Sequence, residues 1–184
     1  PAGGEIALSI VLGQADDKAA ADKIIKKYKS LDSVRESLAA TRQWWLELMG
    51  TSKVETSVPE FDQIQNWLKY QAITERLWAR RGFYQTSGAF GFRDQLQDAI
   101  NLIFADSAFA RKQILLHSSQ QFLEGDVVHW FHTLHDGRTA FSNRSHASDN
   151  LLWLPWAVGE YVKSSGDASV LDEMTSYLES ENPF

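Results

Sequence analysis

The sequence predicts a mainly α-helical protein, and three observations carry that expectation. Apolar residues recur at helical spacing through most of the chain after residue 15. Capping residues stand in front of these runs, and each run spans about 12 to 20 residues before a loop. Successive helices of that length read as stacked helical hairpins. The 184 residues are enough for one domain with its own core, and 43% hydrophobic with 23% charged side chains is the mix of a globular protein rather than a disordered one.

Residues 5–12, "EIALSIVL", are the exception. They alternate and include β-branched side chains, so they predict one strand, whose backbone partners must lie elsewhere. Asp16 is placed to cap a first helix running to about Ser30. Ser33 and Glu36 have capping-box spacing for a second helix ending at Gly50, with Val34, Leu38, Trp45, Leu48 and Met49 on its apolar face. Ser57 as cap and Pro59 in the first turn open a long helix over residues 59–81. Phe61, Ile64, Leu68 and Ala72 form one side of it, widened by Trp67, Leu77 and Trp78, and Gly82 ends it.

Residues 82–90 read as a loop rich in glycine and aromatics. A helix over residues 91–105 buries Phe92, Leu96, Ile100 and Ile103; another over residues 107–123 carries Phe109, Ile114, Leu115 and Phe122 and stops near Gly125. "DVVHWFHTLHDGRTAF" predicts a long loop with a small hairpin turning at Asp136-Gly137. Ser148 caps a helix through about Lys163, in which Pro155 marks a kink or the true start. A last helix spans about residues 168–179. The opening "PAGGEIALSIVLG" lacks an initiator Met and reads as the middle of a longer chain.

Charge and composition exclude several functions. A net charge of −6 with no basic block beyond Lys23 to Lys29 argues against nucleic acid as a partner. The absence of cysteine rules out disulfides and thiolate metal sites. No apolar run approaches the roughly 20 residues that span a bilayer. His129, His132 and His135 lack the companions of a zinc pattern, and neighbours three apart on a strand face opposite ways, so no metal is expected. Arg144, His146, Ser148 and Asp149 precede a helix start, but the serines around them have no nucleophile-elbow context, and the phosphate-loop and dinucleotide patterns are missing.

One constellation stands out. Asp94, Gln97, Asp98 and Asn101 form a polar stripe on the helix that follows the glycine-aromatic loop. As a bland feature the stripe is a solvated face, with Asp94 favoured by the helix dipole. As a functional one it suits a sugar: glycines admit close backbone approach, aromatic faces stack on C–H surfaces, and carboxylates with Arg93 grip hydroxyls. Trp44, Trp45, Trp67 and Trp78 sit at helical spacing and read as core, whereas Trp130, Trp153 and Trp156 are the candidates for lining a cleft.

The segments "WLKYQ", "YQTSGAFGFRDQLQD", "QFLEGDVVHW" and "SDNLLWLPWAVGEYV" together resemble the inverting phosphorylases of glycoside hydrolase family 94, the cellobiose-phosphorylase-like enzymes. Their flavour is that of the subgroup with β-1,2-oligoglucan phosphorylases and cyclic β-1,2-glucan synthases. The resemblance implies part of an (α/α)6 barrel preceded by linker helices and one strand of a β-sandwich: residues 1–13 ending the sandwich, 14–58 the linker and 59–184 the first part of the barrel. It further implies that Arg93 and Asp94 contact the sugar at the non-reducing side of the scissile bond. His129, Trp130 and Asp149 match other positions around the barrel mouth, and Gln97 and Asp98 of the polar stripe join them as substrate-binding candidates. The expected partners are a β-glucan oligosaccharide, the remainder of the same enzyme and, in a homodimer, a second copy. No cofactor is expected, with inorganic phosphate as co-substrate. A phosphorylase of this kind implies a bacterial cytoplasm, a synthase a membrane-associated protein. The chain departs from the family at three places: Asn150 stands where a second acidic residue is usual, Gln85-Thr86-Ser87 where some members carry an Arg, and the loop of residues 132–147 differs. The family's general acid lies in a Trp-Asn-Asp motif that these residues lack. It is therefore expected beyond Phe184, and no catalytic residue is assigned here.

Overall fold

The computed structural model describes residues 3–78, 89–134, 138–144 and 146–179, without the side chains of residues 75–78. Most of the aromatic loop at 82–90, with Gln85-Thr86-Ser87, lies outside them. So do His135, the Asp136-Gly137 turn and the side chains of Leu77 and Trp78. The chain divides into two compact units, Pro1–Gly50 and Thr51–Phe184.

In the first unit, residues 4–15 carry no strand, correcting the expectation for residues 5–12. Alternation only marks a segment as suited to a sheet; a neighbouring strand must still satisfy its backbone, and Ile6, Leu8, Ile10 and Leu12 are exposed here. Helix α1 spans Lys18–Tyr28. Its cap is Asp17, not Asp16, accepting from the Ala20 amide at 2.7 Å. Helix α2 spans Leu31–Gly50 and begins three residues earlier than a capping box at Ser33 required. Ser30 replaces that box, its hydroxyl accepting from the Ser33 amide at 3.1 Å. Only Leu48 of the expected apolar face is buried; Val34 and Leu38 are exposed, as is Trp44, which the spacing places in the core.

The second unit is mainly helical, with a small sheet. Helix α3 spans Pro59–Trp78, and its entry is tied by Thr56 and Asp62, whose side chains bond at 2.8 Å. Phe61, Ile64 and Leu68 lie exposed, as does Trp67, which was expected in the core. Among the described side chains of this helix, Ile73 is the buried one. Periodicity shows that an apolar stripe exists but not which stripe a neighbour covers.

Strand β1, Phe90–Gly91, runs directly into helix α4, Phe92–Asn101. Helix α5, Ser107–Ser118, is capped by Asp106 and is five residues shorter than expected. Strands β2, Val128–Thr133, and β3, Thr139–Arg144, form the anticipated hairpin. The sheet is antiparallel in the order β1-β2-β3, so the short β1, at the expected boundary between the loop of residues 82–90 and the helix of residues 91–105, makes β2 central. Helix α6 spans Asn150–Ser165 and carries Pro155 well inside it; the cap position is Asp149 rather than Ser148. Gly166, at φ +73°, ends it in the left-handed conformation.

The expected last helix is a 3-10 turn, Ala168–Asp172. Asp167 starts this turn by accepting from Ser169. Val170 then goes into the core, and the chain continues extended until the Leu178 amide donates to the Gln121 carbonyl at 2.8 Å. These tertiary contacts outweigh the weak helical pattern of residues 168–179.

The core lies where α4, α5, α6 and β2 meet. Phe92, Leu96 and Phe131 have no exposed surface, and Phe131 stacks on Phe90 with centroids 5.3 Å apart. His117 on α5 is also fully buried: Nδ1 lies 2.8 Å from the Gln113 carbonyl and Nε2 3.5 Å from the Gly91 carbonyl. Gln120, at the end of the same helix, accepts from Thr139 of β3 at 2.6 Å. Arg144 ties the far end of β3 to Asp126 and Glu124 and lies over the Phe122 ring at 3.8 Å.

Two predictions follow from these contacts. Phe131→Ala removes a fully enclosed ring and lowers unfolding free energy by about 3–5 kcal/mol, measurable by denaturant titration. The second concerns acid. Asp167 accepts from Ser169, from the Tyr161 hydroxyl at 2.7 Å and from Arg111 at 3.3 Å. These bonds, Ser169 foremost, lower its pKa to about 2. A carboxylate held below its unfolded value of about 3.9 contributes stability that is complete above that value and is lost as pH falls toward its folded one. Asp167→Asn therefore flattens the loss of stability between about pH 4 and pH 2, read as thermal midpoint against pH.

Candidate functional site

The first turn of α4 places Arg93 and Asp94 side by side, because β1 delivers the chain to the helix start with no connecting residues. Gly91 occupies the cap position and offers no side chain, so Asp94 supplies the acidic group of the first turn, where the helix dipole favours it. From α6, the cap-position residue Asp149 reaches the same place. Arg93 donates through Nη1 to Asp149 Oδ2 at 3.1 Å and through Nε to Asp94 Oδ1 at 3.4 Å. Trp153, one turn into α6, donates its indole N–H to the same Asp149 oxygen at 3.3 Å.

The electrostatics agree from both sides. The hydrogen bonds that Arg93 donates, to Asp149 first and to Asp94 second, raise its pKa. Arg93 first and Trp153 second hold the Asp149 carboxyl below its ordinary value. These groups remain open to solvent: the side chains of Arg93, Asp94 and Asp149 are 43%, 61% and 50% exposed. Exposed pairs of this kind add little to stability, so their arrangement needs another explanation.

The mutual bonds use Arg93 Nη1 and Nε, Asp94 Oδ1 and Asp149 Oδ2. A donor flanked by two acceptors, with an indole beside them, matches adjacent hydroxyls on a ring with an apolar face.

Two other candidates come from β2. His129 is exposed, with Nδ1 3.1 Å from the amide nitrogen of Asn150, the residue after Asp149. Trp130 is half-buried, pairs with Gly91 across the sheet, and packs against Phe141 and His132 at 5.4 and 5.7 Å between ring centroids. Trp153 meets Trp156 edge-on at 5.1 Å.

The polar stripe of α4 does not converge on this place. Asp94 belongs to the Arg93 cluster and Gln97 is half-buried further along. Asp98 and Asn101 line a separate hollow of about 680 Å³ against Ser52, Gln65, Asn66 and Lys69. Arg144, grouped by sequence with Asp149, goes instead to the Asp126 turn. Among the described residues no group of three histidine, cysteine or acidic side chains is placed to hold a metal ion.

Sequence reasoning missed the supports. Asn150 entered only as a departure, yet it is 1% exposed and bonds His129. His117 shares the buried face of α5 with Ala110 and Ile114, and that helical spacing was the available signal. The strand at Phe90–Gly91 had no such signal, since two residues show no alternation.

Against known proteins, residues 44–183 match the family model described as the glycosyl hydrolase 94 superfamily, catalytic domain. The cyclic beta-(1,2)-glucan synthase NdvB of Rhizobium meliloti is 38% identical over 96% of this chain, which spans 6% of that protein. The N,N'-diacetylchitobiose phosphorylase of Vibrio furnissii is 27% identical over 96% of the chain, which spans 25% of it. The 1,2-beta-oligoglucan phosphorylase of Listeria innocua is 24% identical over 97% of the chain, which spans 17% of it. The chain thus spans a quarter or less of each of these relatives, and with its match over residues 44–183 it belongs to the glycosyl hydrolase 94 superfamily.

Proposed function

We propose that the chain is part of an inverting glycoside phosphorylase domain acting on β-glucans, and that Arg93, Asp94 and Asp149 hold the sugar on the donor side of the scissile bond. The observation that carries this reading is the Arg93 guanidinium shared between Asp94 and Asp149, with the Trp153 indole on the second carboxylate. It gathers sugar-binding groups from two helix starts at the segments that resemble the family. A β-1,2 linkage is supported by relatives named for 1,2-linked glucans, the NdvB synthase and the Listeria phosphorylase.

In this reading inorganic phosphate attacks the anomeric carbon as the glycosidic C–O bond breaks, and the configuration inverts. Phosphate is then a co-substrate and no cofactor is required. The general acid and the phosphate-binding groups come from the remainder of the enzyme, and the helices of residues 59–184 form the opening part of an (α/α)6 barrel. His129 and Trp130 flank the sugar from β2; Gln97 and Asp98 stand further along α4, where they would meet a longer substrate. The identity of 38% to NdvB favours a second context, the phosphorylase-like domain of a cyclic β-1,2-glucan synthase associated with a membrane.

The test uses the complete protein, incubated with β-1,2-gluco-oligosaccharides and phosphate while glucose 1-phosphate is measured. Asp94→Ala is expected to lower kcat/KM by roughly 100-fold, because the hydroxyl it holds and its Arg93 partner lose a charged hydrogen bond. Near-normal turnover of that variant contradicts the assignment. Phosphate-independent elongation of glucan, with no glucose 1-phosphate formed, favours the synthase context.

A further inference from the structure

Asn150 opens α6 and is buried to 1% exposure, with its amide nitrogen 3.1 Å from Nδ1 of His129. An amide nitrogen donates hydrogen bonds and does not accept them, so Nδ1 is the acceptor. A neutral imidazole that accepts at Nδ1 carries its proton at Nε2. The partner on the Nδ1 edge is buried whereas His129 itself is exposed, so the ring is anchored on its inner edge and offers Nε2–H outward. Asn150, which anchors the ring, directly follows Asp149 in sequence, the acceptor of the Arg93 bond.

We infer that Asn150 is a positioning residue that sets His129 as a neutral Nε2–H donor to a sugar hydroxyl. This rests on the sugar-binding reading above. An amide suits the task because it is uncharged. A carboxylate at position 150 accepts a hydrogen bond instead, draws the proton to Nδ1 and favours the imidazolium form, which changes what the exposed edge offers. With its proton fixed at Nε2, His129 adds a donor to the carboxylate acceptors of Asp94 and Asp149 and does not act as a base toward the sugar.

The test is a tautomer measurement on the complete protein labelled with ¹⁵N at histidine ring nitrogens, with the His129 signals identified by their loss in His129→Gln. The expected result is an Nε2–H tautomer in the wild type and a proton on Nδ1 in Asn150→Asp. Titration with a β-1,2-gluco-oligosaccharide supplies the second readout. His129→Gln keeps an N–H donor and is expected to hold Kd within about threefold, whereas His129→Leu weakens binding roughly tenfold. An Nδ1–H tautomer in the wild type overturns the assignment of Asn150. Equal binding by the Gln and Leu variants overturns the donor role. Glucose 1-phosphate formation is assayed separately, so failure of phosphorolysis with both readouts as expected removes the phosphorylase reading and leaves this one standing.

Discussion

The pairing of Gly91 with Trp130 is the constraint on which the site depends. Strand β1 is two residues long and passes into α4 without a loop, so whatever fixes Gly91 also fixes Arg93 and Asp94. The fixing groups are buried. Phe131 stacks on Phe90, Phe92 has no exposed surface, and His117 packs edge-on between Phe92 and Phe131 with Nε2 facing the Gly91 carbonyl. Deep packing supplies the rigidity, because the solvent-exposed ion pairs above it are too weak to do so.

On that base the exposed groups are held in a fixed arrangement, which the proposed sugar-binding role uses. Arg93 divides its donors between carboxylates from two helices, Trp153 orients the second carboxylate, and Asn150 orients His129. Each side chain that faces solvent is held by at least one partner and keeps further hydrogen-bonding capacity. Preorganisation of this kind lowers the entropic cost of binding a flexible oligosaccharide. The family match then sets the arrangement within a glycosyl hydrolase 94 domain.

Much of the second unit was legible in the sequence. Residues 91–105 and 107–123 announced helices through their apolar spacing, the hairpin through its β-branched and aromatic strands, and Arg93 and Asp94 through their place after glycine. What was illegible depends on neighbours. Residues 5–12 alternate as a strand does, yet a strand exists only when another pairs with it. The stripe of Phe61, Ile64 and Leu68 looked like a core face, and only packing shows that, among the described side chains of α3, Ile73 is the buried one. Residues 168–179 shorten to a 3-10 turn because Asp167 bonds Tyr161 of α6 and the Leu178 amide bonds the Gln121 carbonyl, contacts that a continuing helix does not make. At the site, Asn150 looked like an anomaly because its partner is 21 residues away in sequence.

The central claim is that the side chains at 93, 94 and 149 converge on a sugar. A crystal structure of the complete protein soaked with a β-1,2-linked glucose disaccharide tests it most directly. The account predicts glucose hydroxyls within hydrogen-bond distance of Arg93 Nη2, Asp94 Oδ2 and Asp149 Oδ1, with the Trp153 indole beside the ring. A disaccharide bound elsewhere, while these three side chains bond only to one another and to water, contradicts it.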